Sequence, residues 1–198
     1  METARVGTVD KREQILQATL KLFSSEGFFN TSIHDIRREA DVSIGSIYHY
    51  FTNKETLARA LYDELVDEMV RAIRAVILEQ DTCQERCRAI MRFFFSWTDS
   101  NPQSMHYIMY ARHQEFMPEV KPICSSEPFF LVFQVVGEGI EQGEVRAVNP
   151  AVATTSLFGG AIRLIHLYLD GSLEGPVEKY FEETWQCGWR AIAAATSH

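Results

Sequence analysis

The sequence predicts an all-α protein, in which an N-terminal three-helix module with a helix-turn-helix is joined to a C-terminal helical bundle. Three observations support this fold class. Apolar residues recur every three to four positions along most of the chain, which is the period of an amphipathic helix. Polar capping residues precede these stretches. No segment of five or more residues alternates convincingly enough to be a strand.

The first three predicted helices are short. Apolar residues between Glu13 and Phe23 form one stripe and predict a helix over 10–26, which Asp10 starts and Gly27 stops. Ser32, followed three residues later by an acid, has capping-box spacing and starts a helix over 33–40. Ser43 caps the next one, over 44–50.

Longer helices follow and complete a set of about nine. Thr52 and Thr82 each precede an acid by three residues, and Asn149 precedes a proline, so these residues predict helix starts. The segment 116–128 contains three prolines and is predicted to be an irregular loop. The later helices are expected at 54–80, 82–99, 102–114, 126–142, 149–170 and 175–195. The helix 54–80 joins two predicted domains, residues 1–53 and residues 54–198.

The charge of the chain is unevenly distributed. The 198 residues carry a net charge of −8, but residues 1–55 are almost balanced, with seven Lys and Arg against eight Asp and Glu. Because affinity for phosphate depends on a local patch, the net charge does not exclude a nucleic-acid partner. The 46% hydrophobic content in a chain of this length predicts a substantial core without disulfides or structural metal.

The expected location is the cytoplasm. The longest uncharged run, 147–162, is shorter than the roughly 20 residues of a membrane span and contains several polar residues. The N-terminus has no signal-peptide pattern. Cys83, Cys87, Cys124 and Cys187 show no CxxC spacing, so reduced thiols are expected.

The segment 31–55 has the pattern of a helix-turn-helix. Ile33, Ile36 and Ala40 form the inner stripe of one short helix, and Val42 fills the turn. In the next helix, Ile44, Ile47 and Phe51 have helical spacing and are predicted to form its buried face. Two short helices joined by a tight turn form this motif, and the second fits the major groove of DNA.

The free face of that second helix carries small or hydrogen-bonding side chains, which suit close approach to DNA and contacts to bases or phosphates. The N-terminus of the preceding helix favours a phosphate, and the lysine that starts the following helix is expected to pair with the DNA backbone. For the tyrosines the alternative is packing within the module, and for the histidine a surface position without a role. The predicted DNA-binding residues are Thr31, Ser32, Ser43, Gly45, Ser46, Tyr48, His49, Tyr50 and Lys54.

Taken together, these residues resemble the DNA-binding domain of the TetR family of bacterial transcription regulators. The resemblance covers about the first 60 residues and is carried by Gly27-Phe28, Thr31-Ser32, Val42-Ser43, the run Gly45–Phe51 and Lys54-Glu55. A later fragment, 139–146, looks like the family's turn between two late helices. The resemblance implies a homodimer that reads a near-palindromic operator in double-stranded DNA. It also implies that an effector bound in the C-terminal bundle loosens the grip on DNA.

The bundle is rich in large aromatic side chains, for which the simplest interpretation is a packed core. The alternative is an apolar pocket with a few orienting polar groups. Aromatic walls favour a small hydrophobic or aromatic effector, and either of two arginines would meet a carboxylate. The candidate ligand-binding residues are Phe94, Trp97, Tyr107, Tyr110, Arg112, His113, Phe133, Arg163 and His166.

The last two predicted helices are the candidate dimer surface, mainly on the family resemblance. Small residues on one stripe permit close approach, and two tryptophans supply apolar anchors. The alternative is packing within one bundle. The candidate interface residues are Thr155, Phe158, Gly159, Ile162, Trp185, Trp189 and Ile192.

Catalysis, cofactors and metals are not predicted. GxSxG, Walker, HExxH and GxGxxG motifs are absent from the sequence. Cys83 and Cys87 have i, i+4 spacing, but no Cys/His-rich tract completes a metal site, so buried thiols are expected. The leading hypothesis is therefore a ligand-responsive dimeric repressor. The alternatives are a DNA-binding regulator that acts through a protein partner without a small ligand, and an all-α enzyme or carrier with an appended helix-turn-helix. Activation in place of repression stays open.

Overall fold

The structure, a computed structural model, describes residues 10–121 and 123–195, apart from the side chain of Cys124. Within this part of the chain there are ten α-helices and no strand, which confirms the predicted fold class. The first nine residues of the predicted DNA-binding domain lie outside the described residues. The helices are α1 (Lys11–Ser25), α2 (Ile33–Glu39), α3 (Ile44–Tyr50), α4 (Lys54–Leu78), α5 (Cys83–Ser100), α6 (Pro102–Tyr110), α7 (His113–Phe116), α8 (Glu127–Glu141), α9 (Pro150–Leu169) and α10 (Phe181–Ile192).

Two predicted helices are interrupted. The one expected at 102–114 is divided into α6 and α7, because Arg112 leaves the helical region with a ψ of 66°. The one expected at 175–195 begins with a 3₁₀ turn, Val177–Tyr180, and becomes α-helical at Phe181. The carboxylate of Asp99 accepts the backbone N–H groups of Val177 and Glu178 at 2.8 and 3.0 Å, which fixes the start of that turn. A second 3₁₀ turn, Ile123–Ser125, lies in the predicted loop.

Side-chain caps define most helix starts. Ser32 and Thr82 each form the predicted capping box, and Asn149 accepts the N–H of Ala151 at the start of α9. The prediction for α4 was wrong by one residue. Asn53 caps this helix, with its Oδ1 accepting the N–H of Thr56 at 2.7 Å, and the predicted cap Thr52 does not.

The described chain divides into two compact units. Unit 1 comprises Met1–Leu65 and His106–Val120, and unit 2 comprises Val66–Met105 and Lys121–His198, each as far as it is described. This division differs from the predicted boundary after residue 53, because the start of α4 packs with residues 106–120. The hydroxyl of Tyr107, for example, donates to the carbonyl of Ala58 at 3.2 Å. The functional domains 1–53 and 54–198 remain a prediction.

The core of unit 1 is formed by apolar side chains of its helices, with Ile15, Leu16, Ile36, Ile47 and Leu57 at most 2% exposed. Aromatic rings extend this core. The Phe28 and Phe116 rings stack at a centroid distance of 3.9 Å, and Tyr107 stacks on Phe23 at 6.1 Å. The α7 segment is thereby packed against the α1–α2 loop.

Unit 2 is built around α5, which packs against α8, α9 and α10. Close approach of α9 and α10 depends on Gly188, since a Cβ there would lie 2.6 Å from the carbonyl oxygen of Leu157. The segment between α8 and α9 caps α5, because the carboxylate of Glu144 accepts the N–H groups of Cys83 and Gln84 at 2.8 and 3.1 Å.

The helix α9 is long and apolar enough to cross a membrane by length and composition alone. This differs from the expectation that no segment reaches that length, because the helix continues past Arg163 to Leu169. Only 28% of its most apolar window is buried in the structure. A single helix of this kind is weak evidence for a membrane, because core helices of soluble proteins have the same length and composition.

Candidate DNA-binding surface and ligand cavity

The turn between α2 and α3 is held by local geometry. Asp41 adopts a φ of +49°, a conformation in which Asn and Asp are less strained than other non-glycine residues. Ser43 caps α3 by accepting the N–H of Ser46 at 3.0 Å, and the two hydroxyl oxygens are 2.9 Å apart. Ile36 and Ile47 are fully buried on either side of the turn. The angle between the helices of the motif is therefore supported by a cap and a core contact.

The outer face of α3 is exposed. Tyr48 is 53% and Tyr50 41% exposed, and His49 between them is also exposed, with its ring 4.9 Å from that of Tyr50. This exposure argues against packing as the role of the two tyrosines, since Ile47 and Phe51 supply the buried face. Gly45 is exposed as well, and a Cβ there would meet only the hydroxyl of Ser43, at 3.8 Å. Nothing within unit 1 requires a glycine at this position.

The start of α2 differs from the prediction. Thr31 is 1% exposed and its hydroxyl donates to the carbonyl of Gly27 at 2.9 Å, so its side chain is not available to a phosphate. Ser32 is exposed, but its hydroxyl and N–H donate to the carboxylate of Asp35 at 2.5 and 3.0 Å. These two hydrogen bonds hold the pKa of Asp35 below its usual value. A phosphate at this helix end would therefore meet the negative charge of the Asp35 carboxylate, which the prediction for Thr31 and Ser32 did not include.

Lys54 also differs from the prediction of a free phosphate contact. Its ammonium group donates to the carbonyls of Phe28 and Thr31 at 2.8 and 2.9 Å and lies 4.1 Å from the centre of the Phe28 ring. Burial of the group lowers the pKa of Lys54. The side chain therefore ties the start of α4 to the loop between α1 and α2.

Arg37 is the basic side chain on α2 that the sequence argument left aside. Arg38 pairs with Asp35 at 2.5 Å, and Lys21 pairs with Glu39 at 2.5 Å. Arg37 is exposed and has no ion pair among the residues that the structure describes. From the sequence alone, a position on a solvated helix face accounted for Arg37 as well as a phosphate contact did. The ion pairs of its neighbours could not be read from the sequence, because they depend on the folded surface.

Unit 2 contains a partly open apolar cavity of about 410 Å³ between α5, α8 and α9. Five phenylalanines and several aliphatic side chains supply most of its wall. The hydroxyl oxygen of Thr154, a lining residue, is buried and has no hydrogen-bond partner. The described lining residues are Phe94, Ser125, Ser126, Phe129, Phe130, Val132, Phe133, Ala151, Thr154, Thr155, Phe158, Gly159 and Ile162.

Only two of the nine predicted ligand-binding residues, Phe94 and Phe133, line this cavity. The indole N–H of Trp97 donates to Glu68 at 2.9 Å, Arg163 lies in a groove between α9 and α10, and the Nδ1 of His166 lies 2.8 Å from the carbonyl oxygen of Ile162. The remaining four, Tyr107, Tyr110, Arg112 and His113, belong to unit 1 and do not line this cavity. Tyr107, Tyr110 and Arg112 line a groove beside the α1–α2 loop, and His113 is buried.

His113 is buried among aromatic rings of unit 1. Its ring centroid lies 4.7 Å from that of Tyr62 and 4.9 Å from that of Tyr107, and its Nε2 has no hydrogen-bond partner. Burial lowers the pKa of His113 to about 4 and raises that of Tyr107. Both side chains are therefore neutral core residues at pH 7. The sequence did not reveal this, because polar-tipped aromatic residues suit a core and a pocket equally well.

The residues predicted for the dimer interface lie either at the cavity or in the interior of unit 2, with Trp189 half-buried. Thr155, Phe158, Gly159 and Ile162 line the cavity. Phe158, Trp185 and Ile192 are at most 4% exposed and lie inside unit 2. Trp189 is half-buried and stacks on Trp185 at 5.4 Å. The alternative of packing within one bundle therefore describes these three buried residues.

A different face of α9 and α10 is exposed. It includes a groove with a volume of about 480 Å³, among whose lining residues are Ser156, Gly160, Arg163, Glu183 and Cys187. Each of these five residues is exposed. The stripe that the sequence predicts as a dimer surface instead lies on the side of α9 that lines the cavity.

Cys83 and Cys87 are buried with their sulfur atoms 3.9 Å apart, and Cys187 is exposed. The hydrogen bond to Cys83, together with burial, raises the pKa of Cys87, while that same bond lowers the pKa of Cys83. In the described part of the chain, no group of three or more His, Cys, Asp or Glu residues is arranged to hold a metal ion.

Residues 15–61 match the model of the family described as "Bacterial regulatory proteins, tetR family". The chain is 29% identical over 92 residues to the nicotine-responsive transcriptional repressor HdnoR of Paenarthrobacter nicotinovorans, covering 46% of this chain and 47% of that protein. It is 33% identical over 97 residues to the transcriptional regulator BetI of Pectobacterium carotovorum, covering 48% and 50%. The chain thus spans about half the length of these curated relatives.

The fold extends the similarity over most of the chain. The structure of the transcriptional regulator FadR from Bacillus subtilis, in complex with stearoyl-CoA, aligns with a TM-score of 0.79 at 18% identity and covers 91% of this chain and 98% of that one. At this identity the likeness shows the fold alone. The relatives are transcription regulators rather than enzymes. The helix-turn-helix of this chain therefore matches the TetR family of bacterial regulatory proteins over residues 15–61, and the chain as a whole shares the fold of the regulators with which it aligns.

Proposed function

We propose that this protein is a cytoplasmic, homodimeric transcription regulator that binds a palindromic operator and responds to a small apolar or aromatic effector. Repression is the simplest mode of action. The observation that carries the proposal is the exposed α3 within a helix-turn-helix that matches the TetR family. The exposed polar face of such a helix is the part that enters the major groove.

DNA recognition is assigned to the residues of α3 and its cap that remain accessible. Ser46 and His49 reach base edges, while Tyr48, Tyr50 and Arg37 contact phosphates. Gly45 permits close approach of the helix, since no contact within unit 1 demands a glycine there. Ser43 and Ser32 act mainly as helix caps, and Thr31 and Lys54 support the loop behind them.

The effector is assigned to the cavity of unit 2. The sequence left open a regulator that needs only a protein partner, and a collapsed bundle core would have favoured it. An open apolar cavity instead favours a small ligand. The relative HdnoR is described as nicotine-responsive, and FadR was crystallised with stearoyl-CoA, so small-molecule ligands occur among similar proteins. Helices α4 and α6 contribute residues to both units, which offers a covalent route for coupling.

The dimer contact is assigned to the exposed face of α9 and α10. The small residues Ser156 and Gly160 permit close approach there, and the groove carries the oppositely charged Arg163 and Glu183. A two-fold interface brings the same patch of both subunits together. The large exposed fraction of α9 supports this assignment.

The test is DNA binding by fluorescence anisotropy, with fragments flanking the protein's own gene, random DNA as competitor and a salt titration. The expected result is specific binding of one dimer per palindrome with a steep dependence on salt. Tyr48→Phe should weaken binding to all sequences by a similar factor. His49→Ala should change the preference among operator variants more than the total affinity.

The matched control is Tyr180→Phe in unit 2, whose hydroxyl donates to the carbonyl of Glu174 at 3.1 Å. This variant should bind DNA like the wild type. Wild-type binding that is no tighter to any flanking fragment than to random DNA, after removal of co-purified small molecules, would contradict the proposal.

A further inference from the structure

The cavity of unit 2 has no charged wall among its described lining residues. Its surface consists of phenylalanine rings, aliphatic side chains, two serines and two threonines. Arg163, which the sequence offered as a carboxylate partner, lies in the separate groove between α9 and α10. Transfer of an ion into an apolar site without a counter-charge is strongly unfavourable. The wall therefore selects against charged ligands.

Two helix N-termini border the cavity: that of α8, whose N-cap Ser126 is a lining residue, and that of α9, through Ala151. At α9 the N–H of Ala151 already donates to the Oδ1 of Asn149 at 2.9 Å, so α8 is the end to consider for an anion. This helix end already carries Glu127 in its first turn. Glu127 forms an ion pair with Arg74 of α4 at 2.5 Å. The positive charge of Arg74 is therefore also already paired. The hydroxyl of Ser126 donates to the carbonyl of Ile123 at 2.5 Å. An anionic ligand would therefore compete with an acid that is in place.

Thr154 supplies an unsatisfied hydrogen-bonding group. Its Oγ1 is buried without a partner. Two other threonines of helices in unit 2 behave differently, since Thr98 donates to the carbonyl of Phe94 at 2.6 Å and Thr184 to that of Tyr180 at 2.7 Å. A buried hydroxyl without a partner is unfavourable, and because Thr154 lines the cavity, a change of its χ1 rotamer on ligand binding is the movement that the inference requires. A ligand oxygen or nitrogen in the cavity would satisfy this group.

We infer that the cavity takes an uncharged, mainly apolar molecule that carries one hydrogen-bonding group, and that the hydroxyl of Thr154 binds this group. The inference rests on the proposed function, because it names the class of effector for the same cavity. It distinguishes the site from one for a fatty acid anion or a charged amine. Thr154 is a specificity residue in this account, and the phenylalanine walls supply most of the affinity.

The test is isothermal titration calorimetry of the full chain at pH 7 with four probes of equal chain length: decan-1-ol, 2-decanone, decanoate and decylammonium. The two uncharged probes should bind at least tenfold more tightly than the two ions. Thr154→Val, which keeps the shape and removes the hydroxyl, should weaken decan-1-ol binding about tenfold. Thr19→Val in unit 1 is the matched control, since its hydroxyl donates to the carbonyl of Ile15 at 2.7 Å and does not line the cavity, and it should bind decan-1-ol like the wild type.

Each contrary outcome points to a different error. Equal or tighter binding of decanoate or decylammonium would overturn the neutral class while leaving the effector cavity in place. Unchanged decan-1-ol binding by Thr154→Val would overturn the assignment of Thr154. Failure of all four probes to bind would overturn the inference and count against the cavity as the effector site, while operator binding in the anisotropy experiment would still hold.

Discussion

Lys54 and His113 are two side chains whose chemistry depends on their packing. The ammonium group of Lys54 donates to two loop carbonyls and lies over the ring of Phe28. The imidazole of His113 is enclosed by aromatic rings and leaves its Nε2 unpaired. Both residues pack within unit 1, Lys54 on the α1–α2 loop and His113 among aromatic rings.

Lys54→Ala is expected to reduce the free energy of unfolding by about 1–3 kcal/mol, because two buried carbonyls lose their donor. Operator affinity should also fall, since the α1–α2 loop leads into the helix-turn-helix. The slope of log affinity against log salt should stay unchanged, because no phosphate contact is removed. Urea unfolding and anisotropy at several salt concentrations measure these quantities.

Lys11→Ala is the control for this prediction, because Lys11 is exposed at the start of α1. Its stability should stay within about 0.5 kcal/mol of the wild type. If Lys54→Ala instead kept wild-type stability and lowered the salt slope by about one, Lys54 would be a phosphate contact after all.

His113 makes stability depend on pH. In the folded protein its pKa is about 4, below the ordinary value of 6.5, so the unfolded chain takes up the proton first as the pH falls. The contribution to stability is therefore fully present above pH 6.5 and decreases between pH 6.5 and 4, by about 3 kcal/mol in total. His113→Phe should lack this decrease. Urea unfolding of both proteins from pH 7 to 4 tests it, and parallel pH profiles would refute it.

At the scale of elements, the closest helix contact of unit 2 is that of α9 with α10. A Cβ at Gly188 would lie 2.6 Å from the carbonyl oxygen of Leu157, and backbone atoms yield less readily than a flexible side chain. Gly188→Ala should therefore destabilise the protein by about 1–3 kcal/mol, despite the higher helix propensity of alanine.

Gly137→Ala in α8 is the matched control for this change. Its Cβ would meet no neighbouring atom within 4 Å, so stability should stay equal or rise slightly. Urea unfolding midpoints compare the two variants. A Gly188→Ala protein as stable as Gly137→Ala would show that the helices separate at little cost.

The boundaries of most elements were readable from local chemistry. Capping boxes at Ser32 and Thr82 and the Asn149 cap stand where the sequence placed them, because a cap is a contact over two or three residues. The break between α6 and α7 was not readable. Its cause is the placement of His113 in an aromatic cluster with Tyr62 from a distant helix.

At the scale of the whole molecule, the contacts divide the chain differently from the linear sequence. Residues 106–120 belong to the same compact unit as the helix-turn-helix, although they lie far along the chain. Four of the predicted ligand-binding residues lie in this segment. The residues that the sequence assigned to one ligand pocket are therefore divided between the two units. Tyr107 and His113 pack in the core of unit 1, and a phenylalanine-lined cavity occupies unit 2.

The sequence by itself determined the helical class, the helix-turn-helix and the resemblance of that motif to the TetR family, because periodicity, caps and the motif are local features of the chain. It also assigned Tyr48, His49 and Tyr50 to the exposed face of α3. Only the tertiary structure decided which polar groups were already satisfied. The ammonium of Lys54 and the hydroxyl of Thr31 bind loop carbonyls, and Thr154 is left without a partner in an apolar cavity. The physical reason is that burial and pairing depend on neighbours that are distant in sequence.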